Sequence, residues 1–257
     1  MANVKLSTKN VGDIVKMNVD GVSKEFIVVH KGLPSSRYDG SCCGVWLLMK
    51  DIYEARAWHS SNVNKYESST IHSYLNGDFL NLLDDKVKST IKQVKIPYRS
   101  GGGKNGSDRS GSNGLSTKVF LLSGYEAGYT DSDSFYRPTD GEKLDFFESG
   151  TGSSALNERI AYLNGSTVNW WLRSPNTYET GNVWFVGTDG SGSSRSASQA
   201  LGIRPALIMP YGAEVDSDGN VTGTVAEMKL GEMPVGSTVR LNVNGAATDF
   251  LVVQQGN

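Results

Sequence analysis

Apolar and polar positions alternate early in the chain. Ile14, Val15, Met17 and Val19 precede Asp20-Gly21, and Phe26, Ile27, Val28 and Val29 follow it. Two apolar runs joined by Asp-Gly predict a β-hairpin. Trp46-Leu47-Leu48-Met49 is an unbroken apolar run and predicts a buried strand. The period then lengthens. Ser68-Ser69-Thr70 offer an N-cap before Ile71, Tyr74 and Leu75, which sit at helical spacing. Asn76-Gly77-Asp78 predicts a break and a cap for a second helix carrying Phe79, Leu82, Leu83, Val87 and Ile91. Short strands are expected over 94–98, 118–122, 168–173, 182–186 and 202–209. Residues 100–116 are Gly, Ser and Asn with interspersed charges, which predicts a long exposed loop. Residues 124–154 are loop-rich, with Tyr125, Tyr129, Phe135 and Tyr136. A short element over 159–163 ends at Asn164-Gly165, and Asp218-Gly219 is another hairpin signal. The order predicts an α+β chain: antiparallel strands, two helices on one side, and long loops.

The first hairpin's text returns near the end. Val11-Gly12-Asp13-Ile14-Val15-Lys16-Met17-Asn18-Val19-Asp20-Gly21 matches Val235-Gly236-Ser237-Thr238-Val239-Arg240-Leu241-Asn242-Val243-Asn244-Gly245. Phe26-Ile27-Val28-Val29 matches Phe250-Leu251-Val252-Val253, and Gly32 matches Gly256. An offset of about 224 residues is a domain-scale repeat, not a solenoid. The expected layout is a domain over 1–222, a linker over 223–234, and a hairpin over 235–257. That hairpin either begins a second copy or caps the first domain, and the former is favoured.

With 257 residues, 38% hydrophobic and 20% charged, the chain has the composition of a globular protein with a sizeable core. Thirty glycines against seven prolines suggest many tight turns. A net charge of −2 without a basic patch argues against nucleic acid. The sequence has no apolar run long enough for a membrane span, and its start lacks the apolar region of a secretory signal. Cys42 and Cys43 are adjacent, which suits reduced thiols better than a vicinal or intermolecular disulfide.

Motifs with chemistry are weak. Gly103-Lys104 is followed by Asn105, not Ser or Thr, and lacks the upstream glycine of a phosphate loop. Cys42 or Cys43 could pair with His30, His59 or His72 as a nucleophile, but an inert thiol is the commoner case. Asp131-Ser132-Asp133 and Asp216-Ser217-Asp218 lack the remainder of a calcium loop and suit ordinary turns. No metal or cofactor is expected. The tryptophans at 46, 58, 170 and 171 suit a core, whereas Trp184 suits core and binding face equally. Arg204, inside an apolar run, suits a buried, paired structural role.

One stretch stands apart. Trp170-Trp171-Leu172-Arg173-Ser174-Pro175 and Gly202-Ile203-Arg204-Pro205-Ala206-Leu207 are stiff, apolar ends around a Ser-, Gly-, Thr- and Asn-rich middle over 176–201. Isolated Tyr and Trp give contact area at low entropic cost, and small polar residues give adaptable hydrogen bonds. That composition suits binding, not catalysis.

Trp171-Leu172-Arg173-Ser174-Pro175, Val183-Trp184, Gly190 and the 202–207 text resemble retroelement-diversified variable proteins of bacteria and phages, which have a C-type-lectin fold, and a related gut-bacterial and phage domain family of unassigned function. Phe26 to Gly32, Trp46 to Tyr53, Tyr74-Leu75-Asn76, Ile96-Pro97-Tyr98 and Val119 to Ser123 extend the resemblance over most of 11–210. It implies a C-type-lectin-like fold, with Trp184, Val186, Gly190 and Ala197 as scaffold. It also implies ligand-binding, variable positions at Tyr178, Glu179, Asn182, Phe185, Gly187, Thr188, Asp189, Ser191, Ser193, Ser194, Arg195, Ser196, Ser198, Gln199 and Leu201, with Trp184 as a further candidate. Formylglycine-generating enzymes are similar at Gly202-Ile203-Arg204, but their cysteines lie late in the domain and these lie early. The sugar-and-calcium tripeptides of animal lectins are absent. The expectation is therefore a non-enzymatic recognition or adhesion protein on a phage tail or bacterial surface, acting on a protein or glycan ligand as a homo-oligomer or tandem array. The alternatives are a structural tandem module of a fibre or surface protein, and an enzyme using Cys42 or Cys43.

Overall fold

The computed structural model describes residues 2–130, 136–228, 232, 233, 235, 238–243 and 246–252. The expectations placed on Asp131-Ser132-Asp133, Phe135, the Asn244-Gly245 turn and Gly256 lie outside these residues.

Two five-stranded sheets carry the fold. The strands are β1 (Ile14–Val19), β2 (Val22–Gly32), β3 (Gly44–Met49), β4 (Glu54–Ala57), β5 (Val119–Phe120), β6 (Trp170–Pro175), β7 (Asn182–Val186), β8 (Gly192–Ser196), β9 (Ala200–Ile203) and β10 (Ala206–Met209). The first sheet runs β5-β10-β3-β2-β1 and the second β8-β7-β6-β9-β4. One buried cluster joins them. The expected first hairpin forms, with Asp20 (φ 53°) and Gly21 (φ 72°) both left-handed, as a type I′ turn requires. The second sheet is mixed, because β6 pairs with β9 in parallel.

The chain changes sheets twice at one place. Between β3 and β4 it passes through Lys50 to Tyr53, and between β9 and β10 through Arg204-Pro205. Pro205 cannot continue the ladder. Arg204 fixes the junction by donating from Nε to the Met49 carbonyl (2.9 Å), with its guanidinium 5.0 Å from the Trp170 ring. It is buried, as expected, but its partners are a carbonyl and a ring rather than a carboxylate, and Nη1 has no hydrogen-bond partner. Burial without an ion pair pulls its pKa down to about 10.

The C-type-lectin-like fold is overturned. Strand takes 38% of the chain and helix 15%, distributed over several small sheets and three short helices; only the coarse α+β class remains. The physical reason lies partly in the helices. The α-helical stretches over 71–91 are short, Thr70–Tyr74 and Asp85–Thr90, and the third helix is Ser153–Arg159. Asn76-Gly77-Asp78 does not break the first helix. It forms a π-helical turn, Leu75–Phe79, after which helix resumes through residue 81. The Asn76 side chain explains this. It accepts from the amides of Lys118 and Val119 and donates to the carbonyls of His72 and Val119, tying the wide turn to β5.

Nor is 100–116 an open loop. Tyr98–Ser100 pairs with Ser107–Arg109, and Leu115–Thr117 with Val94–Ile96. The strand Val221–Val225 pairs with Ala213–Val215 and crosses the expected 222/223 boundary. Beyond it, Thr238–Val243 (β11) and Ala246–Leu251 (β12) form a hairpin. Its register repeats that of the first: Ile14 faces Ile27 as Thr238 faces Leu251, and Val19 faces Val22 as Val243 faces Ala246. Among the described residues, no helix is long and apolar enough to cross a membrane.

Candidate functional site

All six residues of β6 are buried. Trp170 donates to the Arg159 carbonyl, Trp171 to that of Arg56, and Trp58 to that of Leu172, so each indole N–H inside the core is satisfied. Arg173 occupies the strand's centre. Its Nε donates to the Pro97 carbonyl (3.0 Å), Nη1 to the Leu121 carbonyl (2.9 Å), and Nη2 to Glu126 (2.6 Å) and the Asp140 carbonyl (2.7 Å). Glu126 also accepts from the Tyr38 hydroxyl and the Ser123 amide. Burial, then the Glu126 charge, raises the Tyr38 phenol well above its ordinary range. Burial pushes the Asp140 carboxyl up to about 7 despite Arg173; one oxygen accepts from Ser174 and the other is unpartnered.

On this frame rests the 176–201 segment. Asn64, almost fully buried, organises its first loop. Its Nδ2 donates to the carbonyls of Asn176, Glu179 and Asn182, and its Oδ1 accepts from the Gly103 amide. The glycine-rich run is therefore a wedge. A Cβ on Gly103 would lie 1.7 Å from the Glu179 carbonyl oxygen, and one on Gly102 would lie 2.6 Å from Asn64 Oδ1.

The sequence-proposed positions divide by burial. Tyr178, Glu179, Thr188, Asp189, Ser193, Arg195, Ser198 and Gln199 are exposed, and Asn182, Gly187, Ser191, Ser194 and Ser196 are half-buried. Trp184, Phe185 and Leu201 are a correction: at 7%, 7% and 6% exposure they face the core and are closed to a ligand. The alternation of β7 places Trp184 under the Arg137 guanidinium (4.6 Å) and Phe185 edge-on to Trp171. Val186 and Ala197 are also buried, and a Cβ on Gly190 would strike the Leu156 carbonyl. The exposed positions do not form one cluster. Thr188 and Asp189 cap one end of the β7–β8 hairpin, while Tyr178, Glu179, Ser198 and Gln199 lie at the other.

At that second end, Asn62, Val63, Asn64, Lys65, Gly101, Asn105 and Thr180 line a pocket of ≈ 400 Å³. Tyr178 (63% exposed), two residues before Thr180, lies 5.2 Å from the Tyr136 ring, with the Lys104 ammonium 5.9 Å from its own ring.

The thiols lie elsewhere. Cys42 donates to the Lys95 carbonyl, and burial pushes it up to about 12, which keeps it protonated at neutral pH. Cys43 Sγ lies 3.5 Å from the Tyr211 hydroxyl. Among the described residues, neither thiol is hydrogen-bonded to a histidine, and no three His, Cys, Asp or Glu side chains group as metal ligands.

Residues 43–211 match the family described as "Domain of unknown function (DUF6273)". The chain belongs to that family. No curated protein and no solved structure matches it. The DUF6273 match begins at Cys43, just before β3, and ends at Tyr211, just after β10, so it holds the two sheet crossings at 50–53 and 204–205, Arg173 with Glu126 and Asp140, and the whole 176–201 segment. Asn64, Glu126 and Asp140 escaped the sequence reading. Each is a polar residue in a loop; a buried Arg in β6 requires a carboxylate somewhere in the chain, which is the only signal for Glu126 and Asp140, and Asn64 has none.

Two predictions follow from this geometry. A carboxyl raised in the folded state binds its proton more tightly there than in the unfolded chain, so its contribution to stability is full at low pH and is lost as pH rises to about 7. Asp140→Asn should flatten that fall, seen as a smaller difference between urea unfolding free energies at about pH 4.5 and about pH 7.5; an unchanged difference would contradict the assignment. Gly103→Ala should cost more than about 2 kcal/mol by the same method, whereas Gly111→Ala, with open space at its Cβ, should cost less despite its φ of 55°.

Proposed function

We propose that this protein is a recognition module that binds a protein or glycan partner through the outward side chains of 176–201. The observation that carries the reading is the division within that segment. Eight exposed, chemically varied side chains project from a backbone whose inward residues are core and whose turns are held by Asn64, Gly103 and Gly190. Outward residues can then change without loss of the fold, which is what a surface that adapts to different partners requires. Partner affinity would come from a few exposed anchors, with Tyr178 and Arg195 the strongest by residue type. Arg195 is already positioned, its guanidinium 5.6 Å from the Phe185 ring.

A second reading, a structural module in a tandem array, is favoured by the matched registers of the two hairpins. The two are compatible if each copy presents its own surface, and avidity would then strengthen weak single sites.

Substitution of Tyr178, Ser193 or Arg195 by Ala should leave stability within about ±0.5 kcal/mol, whereas Phe185→Ala and Leu201→Ala should each cost about 2–5 kcal/mol in denaturant unfolding. Equal losses in both groups would remove the basis of this reading. Capture of the same variants on arrays of cell-surface proteins and glycans is the functional test. Loss of capture in the outward set, with the fold intact, is the expected result, and no capture by the wild type from either array would contradict it.

A further inference from the structure

Resting on that reading, we propose that β8 is a strand-addition site, at which an extended, carboxylate-bearing segment of a partner protein pairs antiparallel with the open edge of the sheet. β8 is the last strand in the order β8-β7-β6-β9-β4. The phase of its ladder is fixed at both ends. The Gly187 amide bonds to the Ser191 carbonyl and the Ala197 amide to the Gly181 carbonyl. In the same register Phe185 faces Ser193 and Val183 faces Arg195. The main-chain groups of Ser193 and Arg195 therefore point to β7, and those of Gly192, Ser194 and Ser196 point away from it. The Ser196 carbonyl accepts from the Gln199 amide. Among the described residues, the amides and carbonyls of Gly192 and Ser194 and the amide of Ser196 have no hydrogen-bond partner. The other sheet edges are closed. On β1, the Lys16 amide bonds to the Gly219 carbonyl, and Asp20 in the turn after it bonds to that of Leu82. β5 is two residues long and tied to Asn76, and β4 is flanked by the Thr70–Tyr74 helix, where Arg56 stacks on Tyr74. β8 has no proline, and its register with β7 is unbroken, so nothing in the strand blunts its edge.

Charge selects the occupant. An antiparallel strand bonded to Gly192, Ser194 and Ser196 meets Ser193 and Arg195 at the non-hydrogen-bonded pairs, where facing side chains come closest. Arg195 is exposed, its guanidinium 5.6 Å from the Phe185 ring, and it forms no ion pair among the described residues. A carboxylate facing it is favoured and a cation is disfavoured. A second copy of β8 fits less well. Pairing centred on Ser194 would set each Arg195 opposite Ser193 of the other copy, and neither guanidinium would meet a carboxylate. Main-chain bonds supply affinity in this mode while side chains supply specificity. The outward residues of 176–201 can then change without loss of the way the partner is held.

The test titrates the full chain with peptides of about eight residues, alternating Val and Thr, that carry a central Asp, Ser or Lys. The Asp peptide should bind about fivefold tighter than the Lys peptide. Arg195→Glu should reverse that order, which separates loss of the charge from loss of the fold. N-methylation tests the main chain. Alternate amides of a strand point to opposite edges, so methylating one alternate set should weaken binding about fivefold or more, and methylating the other should leave it within about twofold. No acidic peptide bound, an order unmoved by Arg195→Glu, or equal loss from both methylated sets overturns the proposal. A dimer of the chain in sedimentation that excludes the peptides overturns it in favour of a second copy at this edge. If the peptides fail while the chain captures a glycan or a folded protein through Tyr178 or Arg195, the recognition reading stands and only strand addition falls. Capture of nothing in either assay defeats both.

Discussion

A guanidinium buried in the middle of a β-strand is the constraint on which this structure depends. Desolvating Arg173 is tolerable only if every donor finds a partner and its charge is met. The solution takes Pro97, Leu121, Glu126 and Asp140 from three stretches that are otherwise irregular and brings their oxygens to one point. Ser174, the next residue, extends the same function by accepting from the Gly124 amide and donating to Asp140. Leu121, Glu126 and Asp140, which lie outside any helix or strand, thus gain order from the strand that follows them.

That frame explains the neighbouring surface. With β6 fixed, β7 pairs on its outer side and β8 beyond that, so each step outward is more exposed and more polar. Recognition by such a surface needs backbone rigidity and side-chain freedom together. Here rigidity comes from three sources: inward aromatic packing at Trp184 and Phe185, the Asn64 hydrogen bonds, and glycines where no side chain fits. None of these uses an outward side chain.

Much of the fold was legible because period and turn chemistry act locally. The Asp20-Gly21 hairpin, the Trp46 to Met49 strand and the apolar ends of the 170–207 stretch needed no tertiary information. Three readings failed for a shared reason. Asn76-Gly77-Asp78 has the composition of a helix break, yet Asn76 gains more from β5 than the break would give. The run from 100 to 106 has the composition of a flexible loop, yet Gly103 is pressed by the Asn176 and Glu179 carbonyls and Gly102 by Asn64. The motif text that resembles a C-type-lectin domain fixes the Arg173 and Arg204 neighbourhoods but not how many strands and helices surround them. In each case a partner distant in sequence decided the outcome, and composition carries no trace of that partner. Burial within 176–201 was legible only at Val186, Gly190 and Ala197, because residues 183–186 are buried on both faces of β7 and alternation there separates nothing.

Recognition through 176–201 requires a rigid platform with changeable outward side chains. Native-state hydrogen exchange tests it most directly, because local opening and global unfolding leave different signatures. The amides of Asn176 and Ala197 bond to the carbonyls of Asn182 and Gly181. They should exchange with the free energy of global unfolding, as the Arg173 amide on the Leu122 carbonyl does. Exchange of Asn176 and Ala197 through a separate opening of much lower free energy, while Arg173 stays protected, would mean that the segment is a mobile loop on a stable domain and would contradict the account.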